Sequence, residues 1–172
     1  DSKIFSIYEG TNHIQAMDLV GRKLGMGGGA HLQRFAGDIG AFVQKHKDDA
    51  IFGAAVAQLG KAVEALTGVT LKLLGWFQSG QLEKVPLVAN RYLRMMAETT
   101  VGWLLLEQGV LGQQKLAGVE DGHPDRAFYE GKRYAGIYFA QNILPEVTAG
   151  ARIITSEDRS ALDIPDAAFA QA

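Results

Sequence analysis

The sequence has no cysteine among its 172 residues. Disulfides and thiolate chemistry are therefore excluded, and a cytoplasmic setting is expected. It also lacks any dense run of lysine or arginine: 17 basic side chains are scattered among 19 acidic ones, for a net charge of −2. A nucleic-acid surface normally shows a basic stripe, so none is expected here. Long apolar runs are missing too. The longest strongly apolar run, Val101 to Leu106, falls far short of the roughly 20 residues that a membrane-spanning helix needs. The opening Asp1-Ser2-Lys3-Ile4-Phe5 has neither the basic start nor the apolar stretch of a signal peptide, and no initiator Met, so the chain reads as one that opens inside a motif, as a fragment does. No stretch alternates strictly between apolar and polar residues, and no Asn-Gly turn separates apolar runs, which leaves no signal for strands. His31, His46 and His123 are dispersed without a carboxylate at ligand spacing, so no metal site is expected.

What is present is the balance of a globular domain, with 47% hydrophobic and 21% charged residues. The one low-complexity break is Gly25-Met26-Gly27-Gly28-Gly29. Four glycines in five residues disfavour a helix, so residues 25–30 read as a linker. It follows a helical pattern rather than a strand, which argues against a phosphate-cradling loop. Beyond it the apolar spacing is helical. Leu32, Phe35, Ile39 and Phe42 form a short stripe. Phe52, Val56, Leu59, Val63, Leu66, Thr70, Leu73 and Phe77 alternate intervals of four and three, the mark of one face of a long helix. Gly80 and Pro86 punctuate its end. Ala89, Tyr92, Met96, Thr99, Trp103, Leu106 and Val110 mark a third helix, whose glycines at 102, 109 and 112 suggest close approach to a neighbour. A fourth helix runs from about Arg126 toward Ile154 with Tyr134, Ile137, Tyr138 and Leu144 inward, and with Pro145 kinking or splitting it. Trp76, Trp103, Tyr92 and Phe77 fall on these stripes and read as core. The fold expected is all-α: a four-helix antiparallel bundle over residues 31–154, preceded by a short loop-helix strip and followed by a surface tail over 155–172.

The motif that carries chemistry is Ile7-Tyr8-Glu9-Gly10-Thr11-Asn12-His13-Ile14-Gln15. It reads as a loop entering a helix. Gly10 permits unusual backbone angles and close ligand approach. Thr11 or Asn12 can cap the helix, and Asn12 with Gln15 has the spacing of a capping box. Amides at such a terminus favour an anionic partner. From residue types alone Glu9 has two readings. The commoner is a solvated carboxylate suited to the helix dipole; the other is a general base in a cleft. His13 is either a partly exposed first-turn histidine or a ligand contact, and Tyr8 either a core aromatic or the wall of a cavity. Asp18 and Arg22, four apart, read as a surface ion pair.

This stretch closely resembles the signature that carries the catalytic base in acyl-CoA dehydrogenases, and Asp1 to Phe5 is similar to the residues that lead into it. The continuation from Ala16 to Leu24, then glycines and a helical extension, is similar to the branch with an additional C-terminal helical domain, which includes the methylthiopropanoyl-CoA dehydrogenases. The resemblance implies that residues 1–24 end the catalytic core and that Glu9 removes the pro-R α-proton of an acyl-CoA while the β-hydride passes to N5 of FAD, giving a trans-2-enoyl-CoA. It assigns Tyr8 and Gly10 to the substrate and Thr11, Asn12 and His13 to FAD. His13 stands where many members have Gln. The resemblance further implies electron-transfer flavoprotein as electron acceptor, a homo-oligomer such as a dimer, and an isolated chain that holds the base without a complete active site. The alternative is a non-catalytic helical module that serves subunit packing. Only four apolar residues of the strip, Ile4, Phe5, Ile7 and Ile14, are expected to be available for burial, so the strip is expected to be loosely held or ordered by a neighbouring molecule, and residues 31–154 to fold without it.

Overall fold

The computed structural model describes residues 3–4 and 11–169. Their helical periodicity resolves into α1 (Asn12–Gly21), α2 (Ala30–His46), α3 (Gly53–Ser79), α4 (Lys84–Leu116), α5 (Pro124–Asn142) and α6 (Leu144–Thr155), with no strand among the described residues. A single turn, Ser160–Asp163, and a 3₁₀ turn, Asp166–Phe169, follow. The four longest helices, α2 to α5, are joined by short connections and pack as the expected bundle. No helix among the described residues is long and apolar enough to cross a membrane.

The two longest stripes meet in the centre. Phe52, Val56, Leu59, Leu66 and Leu73 are buried from α3 and its N-cap, and Ala89, Tyr92, Leu106 and Val110 from α4. Thr70, a polar residue on the apolar stripe of α3, is buried because it has partners there. Its hydroxyl donates to the Leu66 carbonyl at 2.9 Å, so the Tyr92 hydroxyl donates to Thr70 Oγ1 at 2.6 Å. Burial pushes the Tyr92 phenol up to about 12, against the smaller opposing effect of the Thr70 hydrogen bond. At the end of α3 the inward aromatic is Trp76, 4% exposed, rather than Phe77, 37% exposed. Over 27 residues a helix of about 3.6 residues per turn drifts away from a strict four-three count.

The connections explain the helix ends. Asp49 Oδ1 accepts from the amides of Ile51 and Phe52 at 2.8 and 2.9 Å and so launches α3. Gly80 closes α3 at φ 75°, a left-handed angle that costs glycine nothing. Pro86 falls in the first turn of α4, where a missing N–H is harmless. Pro145 splits the fourth predicted helix in two, with Ile143 at the joint between α5 and α6.

The glycines of α4 mark where α5 and α6 lie nearly against its backbone. A Cβ on Gly109 would come within 3.3 Å of the Lys132 carbonyl oxygen, and one on Gly112 within 3.0 Å of that of Tyr129. On the α5 side, a Cβ on Gly136 would sit 2.8 Å from the Leu105 carbonyl oxygen. This close seam corrects the inward face of α5. Gly136 and Ala140 are buried, whereas Tyr134 and Tyr138 are 62% and 65% exposed. They share an outward face with Ala127, Phe128, Gly131 and Ala135, all exposed and none charged. Ile137 and Leu144 do pack on the core as expected.

The glycine-rich segment Lys23–Gly29 interrupts regular helix: Met26 is extended, and Gly27, Gly28 and Gly29 all have positive φ. One further expectation changes. The strip's helix is firmly docked: Ala16, Val20 and Leu24 are at most 7% exposed and belong to the same core as the bundle, with α1 lying on α4. Of the apolar residues expected to be buried, Ile4 and Ile14 are 57% and 63% exposed, and Phe5 and Ile7 lie outside the described residues. Among the described residues the strip is anchored by Ala16 and Val20 on one face of α1 and by Leu24 in the turn that follows.

Candidate functional site

The predicted site divides at Thr11. Tyr8, Glu9 and Gly10 lie outside the described residues. Thr11, Asn12 and His13 form the N-terminus of α1, and all three are exposed. Thr11 occupies the N-cap position at φ −121°, ψ −4°, and its carbonyl accepts from the Gln15 amide at 2.8 Å to open the helix. Its hydroxyl makes no capping bond. The capping box read from Asn12 and Gln15 does not form, because Asn12 is already the first helical residue and Gln15 falls one position past the place where such a side chain reaches back.

The result is an open polar edge. In an α-helix the first-turn amides have no acceptor within the helix, and here they adjoin a threonine hydroxyl that makes no capping bond, an asparagine amide and an imidazole. These are hydrogen-bonding groups of the kind that phosphate, ribose and ribityl oxygens require. His13 lies one turn before Ala16 and Met17, on the face of α1 that turns toward α4. Its Nδ1 stands 3.4 Å from Oδ1 of Asn90 on α4. Nothing in the sequence marks Asn90, which is 77 positions away; only the docking of α1 on α4 brings the two together.

Behind this edge, Asp18 and Arg22 form the expected pair as a two-pronged contact, Nε to Oδ1 at 2.7 Å and an η nitrogen to Oδ2 at 2.8 Å. Lys23 adds a third contact at 3.4 Å. The Arg22 hydrogen bond is the main reason that the Asp18 carboxyl lies below its usual range. A second charged cluster, around Glu157, went unread in the sequence. Glu157 sits between Lys72 of α3 and Lys84 of α4, at 2.5 Å from each, and both ammonium groups lie within 6 Å of the Trp76 ring centre. The two lysines hold its carboxyl down at about 2. Glu157 has φ 55°, the only positive value on a non-glycine among the described residues.

A short helix with a polar N-terminal edge, packed on a helical bundle and sharing its core, defines the class as an all-helical domain. The chain belongs to the family described as acetyl-CoA dehydrogenase C-terminal like, which matches residues 35–165. Its relatives include a butyryl-CoA dehydrogenase of Syntrophomonas wolfei, 33% identical over 98% of this chain and 27% of that protein. A broad-specificity linear acyl-CoA dehydrogenase of Mycobacterium tuberculosis is 33% identical over 98% of this chain and 28% of its own length. A 3-methylmercaptopropionyl-CoA dehydrogenase of Ruegeria pomeroyi is 30% identical over 94% of this chain and 27% of its own. The chain thus spans about a quarter of the length of the curated relatives it matches. The resemblance read from the first 24 residues is borne out at the level of the family.

Proposed function

We propose that this chain is the C-terminal part of a flavin-dependent acyl-CoA dehydrogenase, with Glu9 as the catalytic base. The observation that carries the reading is the continuity of the two signals. The Ile7–Gln15 motif lies immediately ahead of a bundle of this family, and the likeness to the butyryl-CoA dehydrogenase extends over 98% of the chain, so it runs through the motif as well as the bundle.

The chemistry follows from what each group can do. An α-proton beside a thioester is too weakly acidic for a carboxylate unless the developing enolate oxygen is stabilised. The Glu9 carboxylate takes that proton while its own backbone N–H donates to the thioester oxygen, so one loop residue both removes the proton and stabilises the charge. The Cα–H electrons become the new double bond as the β-hydrogen leaves as hydride, and the product is a trans-2-enoyl-CoA. FAD, when bound, supplies the hydride acceptor at N5. Thr11, Asn12 and His13 hold its polar part, Gly10 lets the substrate approach, and Tyr8 lines the acyl cavity. Because the edge formed by Thr11 to His13 is open, the remaining walls of the cavity come from the rest of the enzyme. Electron-transfer flavoprotein is the partner proposed to accept the electrons.

The test is Glu9→Gln in the full-length enzyme. The amide keeps the side chain's shape and the backbone donor but cannot take a proton. Flavin reduction by acyl-CoA should slow by about 10²–10⁴-fold, with FAD content and acyl-CoA affinity preserved. Reduction at the wild-type rate would remove Glu9 from the role of base.

A further inference from the structure

We infer that Asn90, on α4 of the appended bundle, is a positioning residue for His13, so that the bundle itself helps to hold the flavin nucleotide. The inference rests on the proposed role of His13 as a cofactor contact. His13 is exposed and lies on the side of α1 that turns toward α4, in register with the buried Ala16 and Val20. That packing fixes how far α1 stands from α4 and leaves His13 at the rim of the contact. There Asn90 Oδ1 faces Nδ1 at 3.4 Å, the one side-chain hydrogen bond of His13 among the described residues.

An imidazole on an exposed first turn otherwise samples several rotamers, and each ligand bond it makes carries the cost of fixing one of them. A carbonyl that accepts from Nδ1–H fixes both the ring orientation and the tautomer, and leaves Nε2 as the nitrogen free for the cofactor. In the neutral ring that nitrogen is an acceptor, so the chemistry it matches is a sugar or ribityl hydroxyl. The arrangement parallels metal-binding histidines, whose second nitrogen is commonly held by a carbonyl or carboxylate.

The test uses the flavin-loaded full-length enzyme and follows FAD release by the rise in flavin fluorescence after dilution. His13→Ala and Asn90→Ala should each speed release about fivefold, the loss of one hydrogen bond of roughly 1 kcal/mol. The double variant should be no worse than His13→Ala, because the two side chains act through one contact. Asn90→Asp keeps an acceptor oxygen in place and should restore slow release, with the melting temperature unchanged throughout. If Asn90→Ala releases FAD at the wild-type rate while His13→Ala does not, the positioning role is wrong and the cofactor contact stands. If His13→Ala itself holds FAD as well as wild type, the cofactor contact falls, and the inference with it. Equal loss in Asn90→Ala and Asn90→Asp, or a lowered melting temperature in both, would show a merely structural role and overturn it.

Discussion

The strip from Thr11 to Leu24 and the bundle from Ala30 onward use their side chains in opposite ways. The strip keeps the polar Thr11, Asn12 and His13 exposed at one end of a ten-residue helix and buries only Ala16, Val20 and Leu24. The bundle buries long aliphatic and aromatic faces and brings backbones together through glycine. A helix as short as α1 is marginal in isolation, so its position is lent to it by α4. The difference teaches that the geometry of this polar edge depends on a surface far from it in sequence.

The comparison breaks most sharply at Ala16. Ala16→Asp places a carboxylate at a fully buried position, where leaving an unpaired charge costs several kcal/mol. The cheaper response is for α1 to leave α4. In the full-length enzyme FAD should be lost by gel filtration, while the bundle expressed from Ala30 onward, carrying no change, melts cooperatively as a helical protein by circular dichroism. A non-cooperative melt of that shorter chain would show that strip and bundle fold as one.

A smaller effect separates the two sides of α5. Gly136→Ala sets a Cβ 2.8 Å from the Leu105 carbonyl oxygen, a backbone atom that cannot swing aside. Stability to urea should fall by about 1–3 kcal/mol. Gly131, on the outward face, has nothing within 4 Å of an added Cβ. Gly131→Ala should raise stability by about 0.5–1 kcal/mol through helix propensity alone. Equal effects at the two sites would mean that α5 is not seated on α4 as described.

The smallest effect concerns Glu157, an exposed group whose contribution solvent screens. Its carboxyl is held at about 2, below the ordinary 4.5, chiefly by the hydrogen bonds from Lys72 and Lys84. A depressed carboxylate stabilises the fold fully above its unfolded value and loses that contribution as pH falls through the folded one. The difference in melting temperature between wild type and Glu157→Gln should therefore close between pH 4.5 and about 2. A difference that is constant across that window would detach Glu157 from the two lysines.

Much of the bundle was legible because α3 and α4 each carry one continuous apolar stripe, and only one face of such a helix can be inward. The pattern failed where a helix is apolar on two sides. On α5 the large residues, Tyr134 and Tyr138, outweigh Gly136 and Ala140 in any count of hydrophobicity, yet the small residues are the ones that permit the close seam. The importance of glycines 102, 109 and 112 was readable from their repeated placement in a helix, but not the partner that approaches them. The chemistry proposed for the strip rests on the likeness of a nine-residue motif, since a lone glutamate before a helix is more often just solvated. Of the two N-cap candidates, Thr11 rather than Asn12 opens α1, which dissolves the supposed capping box. Asn90, Glu157 and the two lysines that hold it had no local signal, because each contact is made across elements by tertiary packing.

The hydroxyl pair between Thr70 and Tyr92 has a consequence apart from strength. Two long apolar faces can slide along one another by a turn, about 5.4 Å, and still bury most of their side chains. After such a slip the Tyr92 hydroxyl would lie against hydrocarbon with no acceptor, and Thr70 would have lost its donor. Every mismatched alignment of α3 on α4 thus leaves a stranded polar group in the core, while the native one leaves none at this pair. The pair works as a vernier on the two longest helices, selecting one alignment out of several that greasy surfaces alone would tolerate. Because α1 rests on α4, the same mark sets where the polar edge of the strip stands against the rest of the bundle.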